Sequence, residues 1–165
     1  MIGSVGVFAI SDSAAHDVTM QVNEIALIDL NNVTAITLTT TAPAAGGDTV
    51  TGDTDASKLL QYTSLVAVGL TRNITAQWGG TDGAPAGTSL KLEATSVPAG
   101  CGAAAAQQTI SSVAQNVVTG IGSCATGIGA SGAALTYTFS VDTVGSLVVG
   151  DNQTVTITFT LTDAA

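Results

Sequence analysis

Ser11, Ser13, His16 and Asp17 bring hydroxyl, imidazole and carboxylate groups into one short stretch, the functional groups of an acyl-transfer triad. Neighbours along one extended segment cannot stand in hydrogen-bond sequence, so a triad would need partners from elsewhere. No G-x-S-x-G turn is present to expose a nucleophile. His16, the single histidine of the chain, reads as a solvent-facing hinge residue. Asp48, Asp53 and Asp55 cluster in a Gly-containing loop and offer hard oxygen ligands, but their spacing lacks the EF-hand pattern and its closing Glu. They read as a solvated acidic loop. Trp78 beside Gly79 and Gly80 has the makings of a sugar-stacking platform, yet it is in phase with Ile74 and Ala76 and belongs to their core face. The sequence is that of a non-enzyme, with no cofactor and no metal expected.

Cys101 and Cys124 remain as reactive groups, in Gly-rich loops on either side of a weak strand candidate. A metal site would need about four ligands. Two cysteines in a small, loop-rich chain read as one disulfide, with two free thiols as the alternative. Closing a loop of that length contributes roughly 3 kcal/mol on the chain-entropy model.

The composition narrows the classes further. Three basic residues against twelve acidic ones give a net charge of −9, which repels phosphate backbones and anionic lipid heads. Nucleic acid is excluded as a partner on that ground. No apolar run approaches the ~18 residues of a membrane span. Over 165 residues, 45% are hydrophobic and only 9% charged, the reverse of a disordered chain. Aromatic residues are scarce, so the core must come from Val, Ile, Leu and Ala, with Thr filling the wet faces of strands.

The elements carrying these residues read as strands. Val155, Ile157, Phe159 and Leu161 alternate with Thr154 to Thr162, and Leu135, Tyr137, Phe139 and Val141 alternate with Thr136, Thr138 and Ser140. Ile74, Ala76 and Trp78 form a third alternating set, and Leu90, Leu92 and Ala94 a fourth. Val18, Met20 and Val22 share one face, and Ile25 and Leu27 take the other parity, which predicts a strand with a bulge near Asn23–Glu24. Val33 to Thr39, Leu59 to Ser64 and Val113 to Val118 are weaker strand candidates. Ala103 to Gln108 alone has helix-like composition and is too short to stand by itself. Short strands with Gly- and Pro-rich turns between them predict an all-β, single antiparallel β-sandwich. Its core should include Ile74, Trp78, Leu92, Tyr137, Phe139, Ile157 and Phe159. Of the three N-x-T triplets, at Asn32, Asn73 and Asn152, Asn73 would face outward from its strand.

Residues 1–10 are apolar and small, and Val7-Phe8-Ala9 resembles the end of a signal peptide. A basic n-region and a longer apolar stretch are missing, so the piece reads as the trimmed tail of a longer precursor. Ser11 to Asp17, small and polar, forms a hinge. This divides the chain into an N-terminal strand and hinge (1–17) and a sandwich domain (18–165).

An apolar N-terminal strand, a polar hinge and an acidic, Thr-rich sandwich together resemble prokaryotic surface proteins that polymerise by donor-strand complementation, in chaperone–usher pili and archaeal thread-like pili. The resemblance implies an immunoglobulin-like or pilin-like sandwich lacking one strand, which the N-terminal extension of a neighbouring copy fills. It implies an exported structural subunit at the cell surface, with itself as partner, joined head to tail. Ile2, Val5, Val7, Phe8 and Ile10 would then be the polymerisation strand. Full burial of each contributes ~1.5–3 kcal/mol before ordering entropy is subtracted. The strands quoted above contain no Pro, and basic residues are few, so their edges are poorly guarded against pairing. A secreted carbohydrate-binding or adhesive module, in contact with a glycan or surface, is the alternative.

Overall fold

The structure is a computed structural model that describes residues 12–80 and 83–164. The chain forms β1 (Ile25–Leu30), β2 (Thr54–Leu65), β3 (Arg72–Gly79), β4 (Thr88–Ser96), β5 (Ala103–Ala104), β6 (Gln108–Thr109) and β7 (Gln115–Ile121). β8 (Cys124–Ala125), β9 (Ala133–Val141) and β10 (Thr156–Asp163) follow, with one 3-10 turn at Val144–Ser146. All-β is therefore the class. The strands make two antiparallel sheets, one ordered β1-β2-β9-β4-β6 with β8 also on β2, the other β10-β3-β7-β5. Residues 103–108, helix-like in composition, contribute to β5 and β6 instead.

Period-two alternation explains the core. Ile74 and Ala76 on β3, Leu92 and Ala94 on β4, and Leu135 and Tyr137 on β9 are buried between the sheets. Trp78, Ile157 and Phe159 are half-buried and pack against them, whereas Phe139, near the end of β9, is half-buried outside that cluster. Where a strand bulges, the parity changes with it. Between Asp55 and Lys58, β2 carries one residue more than β9, and inward-facing positions switch to Lys58, Leu60, Tyr62 and Ser64. The Ser57 hydroxyl and backbone N–H both donate to Asp55 at this bulge, and they hold its carboxyl below the usual carboxylate range. Register shifts between β3 and β7 put the successive residues Val117 and Val118 both inside. Gly120 supplies a left-handed φ of 67° there, and its N–H donates to the Asn73 side chain. Asn73 is thus half-buried and engaged with the backbone, not free on an outward face.

Three strand expectations are corrected. Val18, Met20 and Val22 lie in no strand, and there is no bulge at Asn23–Glu24. The ladder between β1 and β2 opens at Ile25 opposite Leu65, where β2 ends, so residues before Ile25 have no strand to pair with. Within β1 it is Ile28 and Leu30 that pack against the core, while Ile25 and Leu27 are exposed. Val33 to Thr39 is not a strand either. The Asn31 side chain accepts from Leu59 N–H and the Lys58 ammonium donates to Thr34 O, so side chains replace the ladder where β2 bulges. Ile36 and Leu38 from this segment still pack against the core. The weak strand near Val113 begins later, at Gln115.

The expected disulfide is present. Cys101 and Cys124 are bonded, with Cα atoms 5.4 Å apart. It ties the turn after β4 to β8, and Tyr62 O–H donates to Cys101 O at 2.6 Å beneath it. Burial pushes the phenols of Tyr62 and Tyr137 up to about 12, with Asp55 adding to the effect at Tyr137. The fold favours the neutral phenol. Its contribution is therefore complete below the ordinary tyrosine value of 10.0 and is lost as pH rises towards about 12. Absorbance titration of these two tyrosines, the full complement of the chain, should show no phenolate until pH exceeds 10.0, and chemical denaturation should weaken only above that pH.

Gly52 passes so close to β9 that a Cβ there would lie 1.7 Å from Phe139 O. The crossing is held by Phe139 N–H donating to Asp53 O at 2.9 Å. Gly52→Ala must push the two backbones apart. We expect a loss of about 1–3 kcal/mol in equilibrium unfolding, in the range of overpacked sites.

Candidate functional site

Among the described residues, β10 pairs with β3 alone and β1 pairs with β2 alone, so each lies at the edge of its sheet. The two edges face each other across one opening of the molecule. Among the described residues, no loop or turn hydrogen-bonds the backbone of 156–163, whose outward N–H and C=O groups are left to solvent. The inward face of β10 is Ile157, Phe159 and Leu161, all only partly buried, whereas Ile74 and Ala76 on adjacent β3 are fully buried. The opening is a shallow, open depression of about 200 Å³ lined by Ile28, Asp29, Leu30, Val33, Leu60, Ile157 and Phe159. It is an apolar seam bordered by two unpaired strand edges, the arrangement that accepts an added strand.

Arg72 closes one end of this seam. It opens β3 on the core face, in phase with Ile74 and Ala76, and its side chain is buried between the sheets. Nη1 donates to Ile25 O at 2.6 Å and, at 3.3 Å, to both Leu65 O and the Ser64 hydroxyl. Nη2 reaches Glu24 at 2.5 Å and Nε reaches Asp163 at 3.0 Å. One guanidinium thus joins the first residue of β1, the end of β2 and the end of β10. What this geometry supplies is hydrogen bonding and apolar burial.

Set against known protein families, curated proteins and solved structures, the chain matches none. The site therefore has to be read from its own geometry.

The structure distributes the sequence-derived candidates unevenly. Ile2, Val5, Val7, Phe8 and Ile10 lie outside the described residues. His16 and Asp17 are exposed in an extended stretch that runs to Glu24. Asp55 lies within β2, not in a loop; Asp53 and Asp55 accept hydrogen bonds from Thr54 and Ser57 of that strand, and no cluster of three metal-ligating side chains occurs among the described residues. Trp78 packs its ring against Gly83, where a Cβ would sit 3.4 Å from the indole. Arg72 was missed by motif reading, although the signal was there: one of three basic residues stands on the apolar parity of a strand. Ile28, Leu30 and Val33 were missed because the seam depends on which strands end unpaired.

Both carboxylates on Arg72 are largely exposed, at 58% and 82% for their side chains, so the ion pairs themselves contribute little. The fork-shaped set of bonds to Ile25 O and Leu65 O matters more, because a lysine cannot make it. Arg72→Lys should lower unfolding stability by about 1–3 kcal/mol, the range for hydrogen bonds to charged groups. Hydrogen exchange should rise first in β1 and at the end of β10. Unchanged exchange at both places would show that the clamp does not hold the seam.

Proposed function

We propose that this chain is a structural subunit of an extracellular filament, joined head to tail by a strand from the N-terminal part of one copy entering the β1–β10 seam of the next. The observation that carries the reading is the seam: two edge strands flank an apolar opening whose inward residues, Ile157, Phe159 and Leu161, are incompletely covered. On this reading the two sheets form an immunoglobulin-like, pilin-like sandwich with one strand position vacant, in keeping with the resemblance to donor-strand surface filaments. A contact of this kind places different surfaces of two copies together and does not close on itself, so it propagates. Main-chain bonds along β10 give direction, and alternate side chains in the seam give selectivity. The disulfide between buried Cys101 and half-buried Cys124 fits export to an oxidising compartment. Ile2, Val5, Val7, Phe8 and Ile10, named from the sequence as the inserted side chains, belong to the same N-terminal part.

Negative-stain microscopy and sedimentation of the purified chain test this. We expect polymers from the wild type, and their loss in Phe159→Asp with the far-UV spectrum retained, because Phe159 stands on an edge strand and is only partly buried. A wild-type protein that remains a monodisperse monomer up to hundreds of micromolar would refute the filament. Polymers that persist in Phe159→Asp would remove the seam from it.

A further inference from the structure

We infer that the strand entering the seam is Asp17–Asn23, running antiparallel to β10 of a second copy; this rests on the proposed polymer and names the segment that makes it.

Residues 12–24 are all exposed and belong to no strand, yet their sequence alternates as a strand does. Val18, Met20 and Val22 are 68%, 90% and 87% exposed, an apolar row with nothing on it. The Gln21 side chain donates to the Asn23 side chain at 2.9 Å. No turn or bend interrupts residues 12–24, so the segment is extended, and in an extended segment Gln21 and Asn23 share one face and the apolar row takes the other. Among the described residues, an alternating segment without a sheet thus stands beside a sheet edge without a strand.

Direction follows from the clamp. Arg72 binds Ile25 O and Asp163, so β1 begins where β10 ends. Leu30 and Ile157, at the other ends of these strands, share the far part of the seam. β1 and β10 therefore run in opposite senses. The chain before Glu24 leaves the molecule at the clamp end. To enter its own seam it would have to reverse between Asn23 and Ile25 and break the Glu24–Arg72 pair. Continued outward into a copy stacked in the same orientation, it lies parallel to that copy's β1 and antiparallel to its β10, the pairing with the better hydrogen-bond geometry. Val18, Met20 and Val22 then cover Ile157, Phe159 and Leu161. If residues 2–10 entered instead, residues 11–23 would hang between subunits as an exposed tether with their apolar row uncovered.

The test uses cysteine pairs in the full chain, at outward positions that leave the seam intact. Gln21→Cys is combined in turn with Thr158→Cys, Thr160→Cys or Thr162→Cys, and Gly6→Cys with the same partners. Oxidised samples are run on denaturing, non-reducing gels. We expect a covalent ladder from at least one Gln21 pair, with most of the protein above the monomer. Thr19→Cys should cross-link nearer the Asp163 end of β10 than Gln21→Cys does. Met20→Asp should raise the concentration needed for polymers at least tenfold. A ladder from Gly6 pairs alone, or an unchanged threshold in Met20→Asp, overturns this assignment while the filament stands. Cross-linking of Thr19→Cys nearer Thr156 overturns the antiparallel direction. A bond formed inside the monomer overturns the exchange between copies. Wild-type protein that never polymerises sinks the filament reading itself.

Discussion

A single buried guanidinium holds the two sheets in relation to one another. Arg72 projects from the start of β3 across the core and donates to the carbonyls of Ile25 and Leu65 in the other sheet. Taking such a cation out of water is costly, and the cost is met only because several acceptors converge on it. Those acceptors are the first residue of β1, the last of β2 and the last residues around β10, so satisfying one group fixes where three strands end. The seam inherits its geometry from this point. With β1 and β10 pinned together at the Arg72 end and no third strand between them among the described residues, they border an opening that contains Ile157 and Phe159.

The rest of the fold is built with little chemistry to spare. The chain has few aromatics, and the core is packed from aliphatic residues supported by Tyr62 and Tyr137. Bulges make this workable. The extra residue in β2 brings Leu60 and Tyr62 inward, and the shifts in β7 place Val117 and Val118 side by side in the interior. Each bulge is stabilised locally, by Asp55 with Ser57 in one case and by Asn73 with Gly120 in the other. The disulfide adds a covalent tie on the side of the molecule where Tyr62 donates to Cys101 O.

How much of this could be read from the residues depended on whether the signal was local. Period-two alternation identified β3, β4, β9 and β10 and most of their core positions, because each residue's side is set by its own strand. Cysteine arithmetic gave the pairing of Cys101 with Cys124. Alternation does not say whether a partner strand exists. Val18, Met20 and Val22 carry as clear a pattern as Leu90, Leu92 and Ala94, but β2 stops at Leu65 and the first set is left in solvent. The same non-local fact hid the seam, since Ile28 and Leu30 become its lining only because no strand among the described residues separates β1 from β10. Asn73 illustrates the smaller error: a position on the wet face can still be occupied by a backbone donor from a bulge in the next strand.

The charge balance bears on how copies could associate. With a net charge of −9, two copies repel at long range, and the basic residues cannot offer a complementary surface: of the three, Arg72 and Lys58 are buried, each with acceptors of its own, and Lys91 is the one that remains. Electrostatic steering is therefore not the origin of any self-association. Attraction has to come from short-range terms, ladder hydrogen bonds along an open edge and burial of side chains such as Phe159, which act only once strands are in register. Repulsion outside register and pairing within it work in the same direction. The acidic surface keeps the poorly guarded edges of separate copies apart, and a strand of matching period is the shape that can still reach the seam.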